Sequence, residues 1–326
     1  DYNGETQEGM GYFQLTAHKG QRCSSAKAYL TPNRNRSNLT VLTNMATKRV
    51  LVEEGRATGI VVQHGNEEKT VFARSEVILS AGAIGSPQIL MLSGIGPGAQ
   101  LTKHGIEIVQ DLAGVGQNLQ DHLQARPIFK CRSSTINTET NSLWKQALIA
   151  IEYALKRTGP ITIAASLGTG FLKSRDEVAT PDIQFHSHPF STDKVGTWTH
   201  QFDSFTASVL QLRPESAGHL ELRSANIADH PLIHPNYLAT PLDQQTIVDG
   251  IKIARRIAGY EPAKSEIIEE FAPGKTVAED DDDAILDWAR NTSTTIYHPT
   301  GTCRMGPDSM AVVDERLRVR GVSGLR

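Results

Sequence analysis

Histidine is the side chain whose ordinary protonation range best suits proton transfer near neutral pH, and the sequence contains 11 histidines. His298 differs from the others because Pro299 follows it and biases its backbone toward the extended region. Gly301 then lets the chain turn sharply, so that the imidazole is presented from a strand end. A histidine before proline is usually a turn residue, so the pattern by itself favours that interpretation and leaves a general base at His298 as the alternative.

A second candidate site is the segment GAIGSPQILMLSGIG at residues 82–96. The apolar run 76–80 predicts a buried strand that leads into small residues, and Ser86 and Pro87 predict the N-cap and first position of a helix over 88–92. The N–H groups at the start of such a helix bind anions such as a pyrophosphate. The pattern therefore indicates a dinucleotide neighbour, although a plain packing unit of strand and helix explains it as well.

No residue cluster in the sequence has the spacing of a metal site. His186 and His188 share one face of a predicted strand, but no carboxylate or cysteine nearby completes a ligand set, so a lining of the substrate cavity or ordinary surface is the preferred interpretation. The acidic run 279–283 precedes a predicted helix, whose positive end it stabilises. Three cysteines lie far apart without a C-x-x-C pair: Cys23, Cys131 and Cys303. The sequence therefore predicts no metal.

Length and charge narrow the class of protein. The 326 residues predict about two domains. Lys and Arg together number 33 against 36 Asp and Glu, a net charge of -3, so there is no basic surplus for nucleic acid to bind. No apolar run approaches the roughly 18 residues of a membrane-spanning helix. The chain begins at Asp1 and ends inside the strand-like run 316–326, which predicts that it is a piece of a longer protein.

The elements that must position the candidate site fall into two groups. The first is a predicted meander of antiparallel strands at residues 39–43, 49–53, 58–63 and 69–73. The second is a predicted antiparallel sheet, with strands at residues 182–186, 205–213 and 219–223. Helices are predicted on one face of this second sheet, at residues 142–157, from Thr240 onward and after Asp283.

Several of these segments resemble motifs of the glucose-methanol-choline (GMC) flavin oxidoreductases. Residues 82–96 resemble the second sequence motif of the family at all 15 positions, and residues 105–122 are similar to its continuation. Residues 20–30 are similar to the loop before the adenine-side strands, and 297–306 to the active-site segment. Residues 218–224 and 234–238 resemble the bacterial branch that includes choline dehydrogenase and related alcohol dehydrogenases.

The resemblance implies a fold and a domain division. The fold class is α/β plus α+β, with a partial FAD-binding Rossmann-like domain and a substrate domain whose antiparallel sheet is flanked by helices. Residues 1–117 and 297–326 are predicted to belong to the FAD-binding domain, and residues 118–296 to form the substrate-binding domain.

The resemblance also implies a reaction. FAD is the expected cofactor, Ala81, Gly82, Ala83 and Thr47 are expected to contact it, and His298 is expected to be the catalytic base. The family usually has valine where this chain has Thr47, so that contact departs from the pattern. The implied chemistry is oxidation of a primary alcohol to an aldehyde, with hydride transfer to flavin N5 and reoxidation by oxygen or a quinone-type acceptor.

Other departures limit what this stretch of chain does by itself. The G-x-G-x-x-G phosphate loop is absent, and Gly114 and Gly116 imitate only half of it because Leu119 stands at the third glycine. The second active-site residue of the family is expected beyond Arg326. The isolated stretch is therefore predicted to be inactive. Two alternatives stay open, a flavin-containing hydroxynitrile lyase-like enzyme and a non-catalytic remnant. The predicted location is the cytoplasm, with peripheral membrane association for electron delivery.

Overall fold

The structure, a computed structural model, describes residues 2–194 and 196–326. Asp1, where the predicted FAD-binding domain begins, and Val195, in the predicted substrate domain, lie outside the described residues. In chain order the strands are β1 (Gly9–Tyr12), β2 (Ala17–His18), β3 (Gln21–Arg22), β4 (Ala46–Glu53), β5 (Arg56–His64), β6 (Glu67–Phe72), β7 (Ile95–Gly96), β8 (Gln110–Asp111), β9 (Leu123–Ala125), β10 (Ile128–Cys131), β11 (Gly168–Leu172), β12 (Ile183–His188), β13 (Ser204–Gln211), β14 (His219–Glu221), β15 (Leu232–His234), β16 (Ile267–Ala272) and β17 (Thr294–Thr295).

The helices vary from single turns to five turns in length. In chain order the α-helices are α1 (Thr31–Asn33), α2 (Gly82–Leu92), α3 (Gly98–Lys103), α4 (Ile136–Glu139), α5 (Leu143–Lys156), α6 (Pro241–Ala258), α7 (Ala263–Glu266) and α8 (Asp282–Thr292). A π-helical turn covers Ala26–Leu30 and a 3₁₀ turn covers Pro160–Thr162. No helix in the described part of the chain combines the length and the apolar character needed to cross a bilayer.

The chain divides into two compact units. Unit 1 comprises Asp1–Thr40, His122–Glu215 and Thr240–Ile296, and unit 2 comprises Val41–Asp121, Ser216–Ala239 and Tyr297–Arg326. The domain division predicted from the sequence placed the first 40 residues with the cofactor domain, and residues 118–121 and 216–239 with the substrate domain, so the two partitions differ in these segments. Which unit serves the cofactor and which the substrate stays a prediction.

Unit 1 is built on one antiparallel sheet with the strand order β1-β11-β12-β13-β10-β16, in which β9 pairs with β13 and with β17. Helix α6 packs against the central strand β13. The approach is close at Gly250, where a Cβ would lie 2.6 Å from Cγ2 of Val209, so only glycine fits there. The predicted antiparallel sheet is confirmed for the strands at 182–186 and 205–213, which correspond to β12 and β13, with helix α6 against it. The predicted strand at 219–223 is wrong for this sheet, because β14 pairs with β15 in unit 2.

Unit 2 contains the three-stranded antiparallel sheet β4-β5-β6, the β14-β15 hairpin and the parallel pair β7-β8. Its core is a cluster of buried side chains from α2, β7, α3 and the C-terminal segment, among them Met91, Ile95, Leu101, Val312 and Leu325. The predicted strands at 49–53 and 58–63 lie within β4 and β5, and the one at 69–73 overlaps β6 except at its last residue, so the meander is confirmed there. The predicted strand at 39–43 is wrong, because those residues form no ladder.

Two predictions near the candidate site need correction. Residues 76–80 are extended but form a single parallel bridge, between Val77 and Leu325, rather than a strand. The helix that follows begins at Gly82 with Ala81 as N-cap, so Ser86 is not the N-cap and Pro87 lies inside the helix. The reason is the backbone of Gly82, whose φ of 76° lets the chain turn into the helix earlier than a residue with a Cβ would allow.

The predicted helix starts in unit 1 follow the capping rules. Thr240 is the N-cap of α6, and its side chain accepts a hydrogen bond from the N–H of Asp243. Asp281 caps α8 in the same way through the N–H of Ala284. The helix predicted at 142–157 is confirmed as α5, one residue shorter at each end, and its apolar side chains are exposed, with Leu143 at 82%.

Candidate functional site

A cavity of about 680 Å³ lies at the N-terminal end of helix α2 in unit 2. Its lining includes the segment 78–80 and the first turns of the helix, and a second wall is formed by the segment from Pro299 to Cys303. Val313, Val319 and Arg326 contribute from the C-terminal segment. Mostly apolar walls with a few convergent polar groups are typical of a cofactor or substrate pocket.

Gly82 shapes the floor of this cavity. Its φ is 76°, and a Cβ built on it would have no protein atom within 4 Å, so a methyl group there would project into open space. The side-chain Oγ of Ser86 accepts a hydrogen bond from the N–H of Ala81 at 3.0 Å, which fixes the turn that enters the helix. The first N–H groups of α2 have no acceptor one turn back in the helix, and they carry its positive dipole end.

The second wall, residues 299–303, is held to this turn by hydrogen bonds. Thr302 donates its hydroxyl hydrogen to the carbonyl oxygen of Ala83 at 2.6 Å, and its own carbonyl accepts from the N–H of Gly116 at 2.9 Å. Gly301 has a φ of 91°, and a Cβ there would lie 2.2 Å from the carbonyl oxygen of Asn118. Both the positive φ and the close approach to Asn118 require glycine at 301. These contacts fix the position of the wall relative to the start of α2.

His298 stands at the edge of this wall, directly before the lining residue Pro299, and its side chain is exposed. Its backbone N–H donates a hydrogen bond to Oδ1 of Asp121 at 2.9 Å. The hydroxyl of Tyr237 donates to the other oxygen, Oδ2, of the same carboxylate. Asp121 is buried, with 9% of its surface exposed. The carboxylate therefore fixes the backbone from which the imidazole projects.

Cys303 also lines the cavity but is not a nucleophile at neutral pH. Burial raises the pKa of its thiol to about 12. Only the thiolate form attacks electrophiles or binds metals, so Cys303 stays protonated and behaves as a small apolar lining residue.

The structure brings most, but not all, of the predicted site residues together. Gly82 and Ala83 line the cavity, and Ala81 is the N-cap next to them. His298 adjoins the lining segment 299–303. Thr47, in contrast, lies on β4 opposite Val62 and is not among the residues that line this cavity.

His186 and His188 lie on strand β12 of unit 1, where Ser166 joins them. The hydroxyl oxygen of Ser166 lies 3.3 Å from Nδ1 of each histidine. Burial, and after it the positive charge of Arg126, lower the pKa of His188 to about 4. Among the described residues, the group of three side chains arranged for a metal ion includes neither of these histidines. Their predicted place in a substrate cavity stays a prediction.

The low pKa of His188 gives an expected pH dependence of stability. Between about pH 6.5 and 4 an unfolded imidazole takes up a proton that the folded one does not, so the free energy of unfolding falls as the pH falls, by up to about 3 kcal/mol. Replacing His188 with glutamine removes this term. Thermal unfolding from pH 7 to 4.5 is expected to show a smaller fall in Tm in H188Q than in the wild type. The control is the exposed His64 as H64Q, and equal slopes in all three proteins would contradict the expectation.

Another set of side chains in unit 1 has the spacing of a hydrolytic triad. The Oγ of Ser191 lies 2.7 Å from Nδ1 of His200, and Nε2 of His200 lies 2.9 Å from Oδ1 of Asp193. Ser191 is 0% exposed, and its hydroxyl also contacts Ser204 and Asn137. A nucleophile must reach a substrate carbonyl, so this buried network does not support acyl transfer.

The family follows from comparison with known sequences. Two profiles of the same family, described as GMC oxidoreductase, match residues 1–124 and 214–326, which together are more than half of the chain. The chain belongs to the GMC oxidoreductase family. Members of this family are FAD-binding oxidoreductases that act on alcohols. Residues of both the active-site segment and the cofactor motif of the resemblance line the cavity.

Curated relatives match the whole chain but are longer. An alcohol dehydrogenase [acceptor] of Pseudomonas putida is 40% identical over 329 residues, which is 100% of this chain and 59% of the relative. An oxygen-dependent choline dehydrogenase of Brucella canis is 41% identical over 332 residues, again 100% of this chain and 59% of the relative. The chain therefore spans less than two thirds of the length of these relatives.

Solved structures have the same fold. Formate oxidase of Aspergillus oryzae RIB40, whose description refers to FAD modification, is 27% identical with a TM-score of 0.89 and is matched over 100% of this chain and 61% of its own. Pyridoxine 4-oxidase of Mesorbium loti is 25% identical with a TM-score of 0.85, over 99% of this chain and 59% of its own. The predicted fold class, a mixture of helices and antiparallel sheets in a flavoprotein scaffold, is confirmed.

Asp121 and Tyr237 are the site residues that reasoning from the sequence missed. Both lie in segments that resemble the family, but no local pattern links them to His298, which is 177 residues from Asp121 in the chain. A charged side chain that is buried must have partners, and that rule identifies Asp121 only once its burial is known.

Proposed function

We propose that the protein to which this chain belongs is an FAD-dependent oxidoreductase that oxidises a primary alcohol to an aldehyde. The observation that supports the proposal is the single cavity shared by the first turn of α2 and the segment 299–303, with His298 at its edge. When bound, FAD supplies the acceptor for the hydride that leaves the alcohol carbon. The activity is proposed for the whole protein, and the isolated stretch is expected to be inactive.

The residues of the cavity fit part of such a cofactor. Gly82 leaves open space where any other residue has a Cβ, and the start of α2 offers N–H groups and a positive dipole end to an anionic group. Thr302, through its bond to Ala83, holds the two walls at a fixed separation. We propose that Ala81, Gly82 and Ala83 contact FAD, and that Thr47 contributes to the cofactor site of the whole protein.

His298 has the proton-transfer role in this proposal. Its imidazole accepts the hydroxyl proton of the alcohol, and its backbone is held by the carboxylate of Asp121. Cys303, which lines the cavity, does not compete for the proton, because burial raises the pKa of its thiol to about 12 and the thiol stays protonated. We propose that the apolar walls of the cavity exclude water from the reacting groups.

A proposal about the electron acceptor accompanies this assignment. The electron acceptor is oxygen or a quinone-type compound, and one relative, a choline dehydrogenase, is named as oxygen-dependent. Cytoplasmic location and peripheral membrane association remain predictions from the sequence.

The direct test is reduction of the flavin under anaerobic conditions. Choline, an aliphatic primary alcohol and a benzylic alcohol are each added to the whole protein loaded with FAD, and bleaching of the flavin absorbance is followed. Bleaching by one of them supports alcohol oxidation and argues against the lyase alternative. A flavin that no alcohol reduces would contradict the proposal.

The cofactor assignment gives a second test with a matched control. Gly82→Ala and Gly65→Ala both place a methyl group at a positive-φ glycine with no protein atom within 4 Å, at φ of 76° and 60°. Both cost about 1–2 kcal/mol of backbone strain, but only the first methyl projects into the cavity. A clash there of about 1–3 kcal/mol weakens FAD binding about 5- to 150-fold. Titration of the apoprotein with FAD is expected to show this loss for G82A and not for G65A, and equal affinities would contradict the assignment.

A further inference from the structure

The β14-β15 hairpin of unit 2 carries two histidines and a glutamate on one face. His219 and His234 are directly opposite each other in the antiparallel register, and Glu221 is two residues from His219 on the same strand. Side chains at positions i and i+2 of a strand share a face, and a diagonal neighbour on the paired strand lies within reach. The register therefore brings three potential metal ligands to one place.

The ligand atoms of these three residues all lie within 4.8 Å of one another. Nε2 of His219 is 3.4 Å from Oε1 of Glu221, and the two imidazole rings are stacked with centroids 4.7 Å apart. Ligands bound tetrahedrally at about 2.0–2.1 Å from Zn²⁺ are about 3.3 Å apart. Nε2 of His219 and Oε1 of Glu221 already have this separation. Rotation of the exposed side chain of His234 is enough to bring the third ligand atom to the ion.

The backbone that carries the ligands is held in place. Leu220, between the two ligands of β14, is 0% exposed, and its N–H donates to the carbonyl of Gly116 at 2.7 Å. The side chains of His219 and Glu221 remain 39% and 38% exposed, so an ion can reach them from solvent. The strands approach so closely that a Cβ at Gly218 would lie 1.8 Å from the carbonyl oxygen of His234. The site is therefore rigid in its backbone and open at its surface.

We propose that His219, Glu221 and His234 bind one divalent transition-metal ion, with water completing its coordination. Two imidazole nitrogens and a carboxylate oxygen are a donor set that suits Zn²⁺, Ni²⁺ and Cu²⁺ better than Mg²⁺ or Ca²⁺. The bound ion joins the two strands of the hairpin. This site is separate from the cavity and from the residues assigned to proton transfer, and it departs from the expectation of no metal drawn from the sequence.

The test is titration of the whole protein, without an affinity tag and treated with a chelator, with Zn²⁺ in a calorimeter. Removing a residue that hydrogen-bonds to a metal ligand typically lowers the affinity for the metal about 10–100-fold. H219A and H234A each remove a ligand itself, so each is expected to lower the affinity for Zn²⁺ at least about tenfold. H64A, which removes an exposed histidine at the end of β5, is the matched control and is expected to bind as the wild type does. If H219A and H234A bind Zn²⁺ with the wild-type stoichiometry and affinity, the proposal is overturned.

A spectroscopic measurement identifies the ligands independently of affinity. With one equivalent of Cu²⁺, the wild type and H64A are expected to give an electron paramagnetic resonance signal with hyperfine splitting from two imidazole nitrogens. H219A and H234A are each expected to lose one of them. A copper signal that is identical in all four proteins would also overturn the proposal.

Discussion

Replacing His298 with alanine in the whole protein is expected to slow reduction of the flavin by an alcohol about 10²- to 10⁴-fold, the contribution of a positioned acid or base. The side chain lies at the edge of the cavity and does not close it, because the wall is held by Thr302 and Gly301. FAD is therefore expected to stay bound. Anaerobic stopped-flow measurement of flavin bleaching gives the rate, and the flavin absorbance after gel filtration gives the occupancy.

Two controls separate proton transfer from damage to the site. Dithionite, which reduces flavins without a protein base, is expected to bleach the H298A protein as fast as the wild type. The H64A variant, which removes an exposed histidine of the same unit, is expected to keep the wild-type rate with alcohol. An H298A protein that is reduced by alcohol at the wild-type rate would remove His298 from the proposed mechanism.

The parts of the fold that depend on local chemistry were predictable from the sequence. Helix α6 begins where a threonine and a proline stand together, since Thr240 supplies the side-chain acceptor that the first turn needs. The β4-β5-β6 meander has turns at Gly55 and Gly65, both with positive φ, which only a few residue types adopt without strain. In each case the residues that decide the structure are within a few positions of one another.

The errors occur where distant segments decide the structure. The apolar run 76–80 has the composition of a buried strand, but its hydrogen-bonding partner is the C-terminal segment, where the N–H of Arg326 donates to Val77. Pairing across 249 residues of sequence has no local signature. The start of α2 was misplaced because Ser86 and Pro87 satisfy the capping rules, while Gly82 allows an earlier turn. The hydroxyl of Ser86 still bonds at the helix start, to the N–H of Ala81, from inside the helix.

The same distinction applies to the site. Gly82, Ala83 and the segment 297–306 were identified by their resemblance to the family, and the structure places the glycine, the alanine and residues 299–303 around one cavity. The metal-binding face of the β14-β15 hairpin was missed because His219 and His234 are 15 positions apart, and only the strand register brings them together. A set of ligands assembled by pairing of strands is invisible to a search for local spacing.

Asp121 carries the second large expected effect, as a positioning residue for His298. Its carboxylate accepts the backbone N–H of His298 on one oxygen and the hydroxyl of Tyr237 on the other. Asp121→Ala removes both acceptors, and the backbone at 298 loses the bond that fixes it. A displacement of about 1 Å at a reacting group costs about 10² in rate, so kcat for flavin reduction is expected to fall by that factor, with a smaller change in KM.

Conservative variants distinguish positioning from a general loss of structure. Asp121→Asn keeps an amide oxygen for the N–H of His298 and an amide N–H that the Tyr237 oxygen accepts, so it is expected to restore most of the rate lost in D121A. Tyr237→Phe removes one bond to the carboxylate and leaves the bond to His298, so its effect is expected to be smaller than that of D121A. FAD occupancy and Tm are measured alongside in all three variants. If D121A folds, binds FAD and is reduced at the wild-type rate, the backbone of His298 needs no such support, and the proton acceptor is positioned by other contacts.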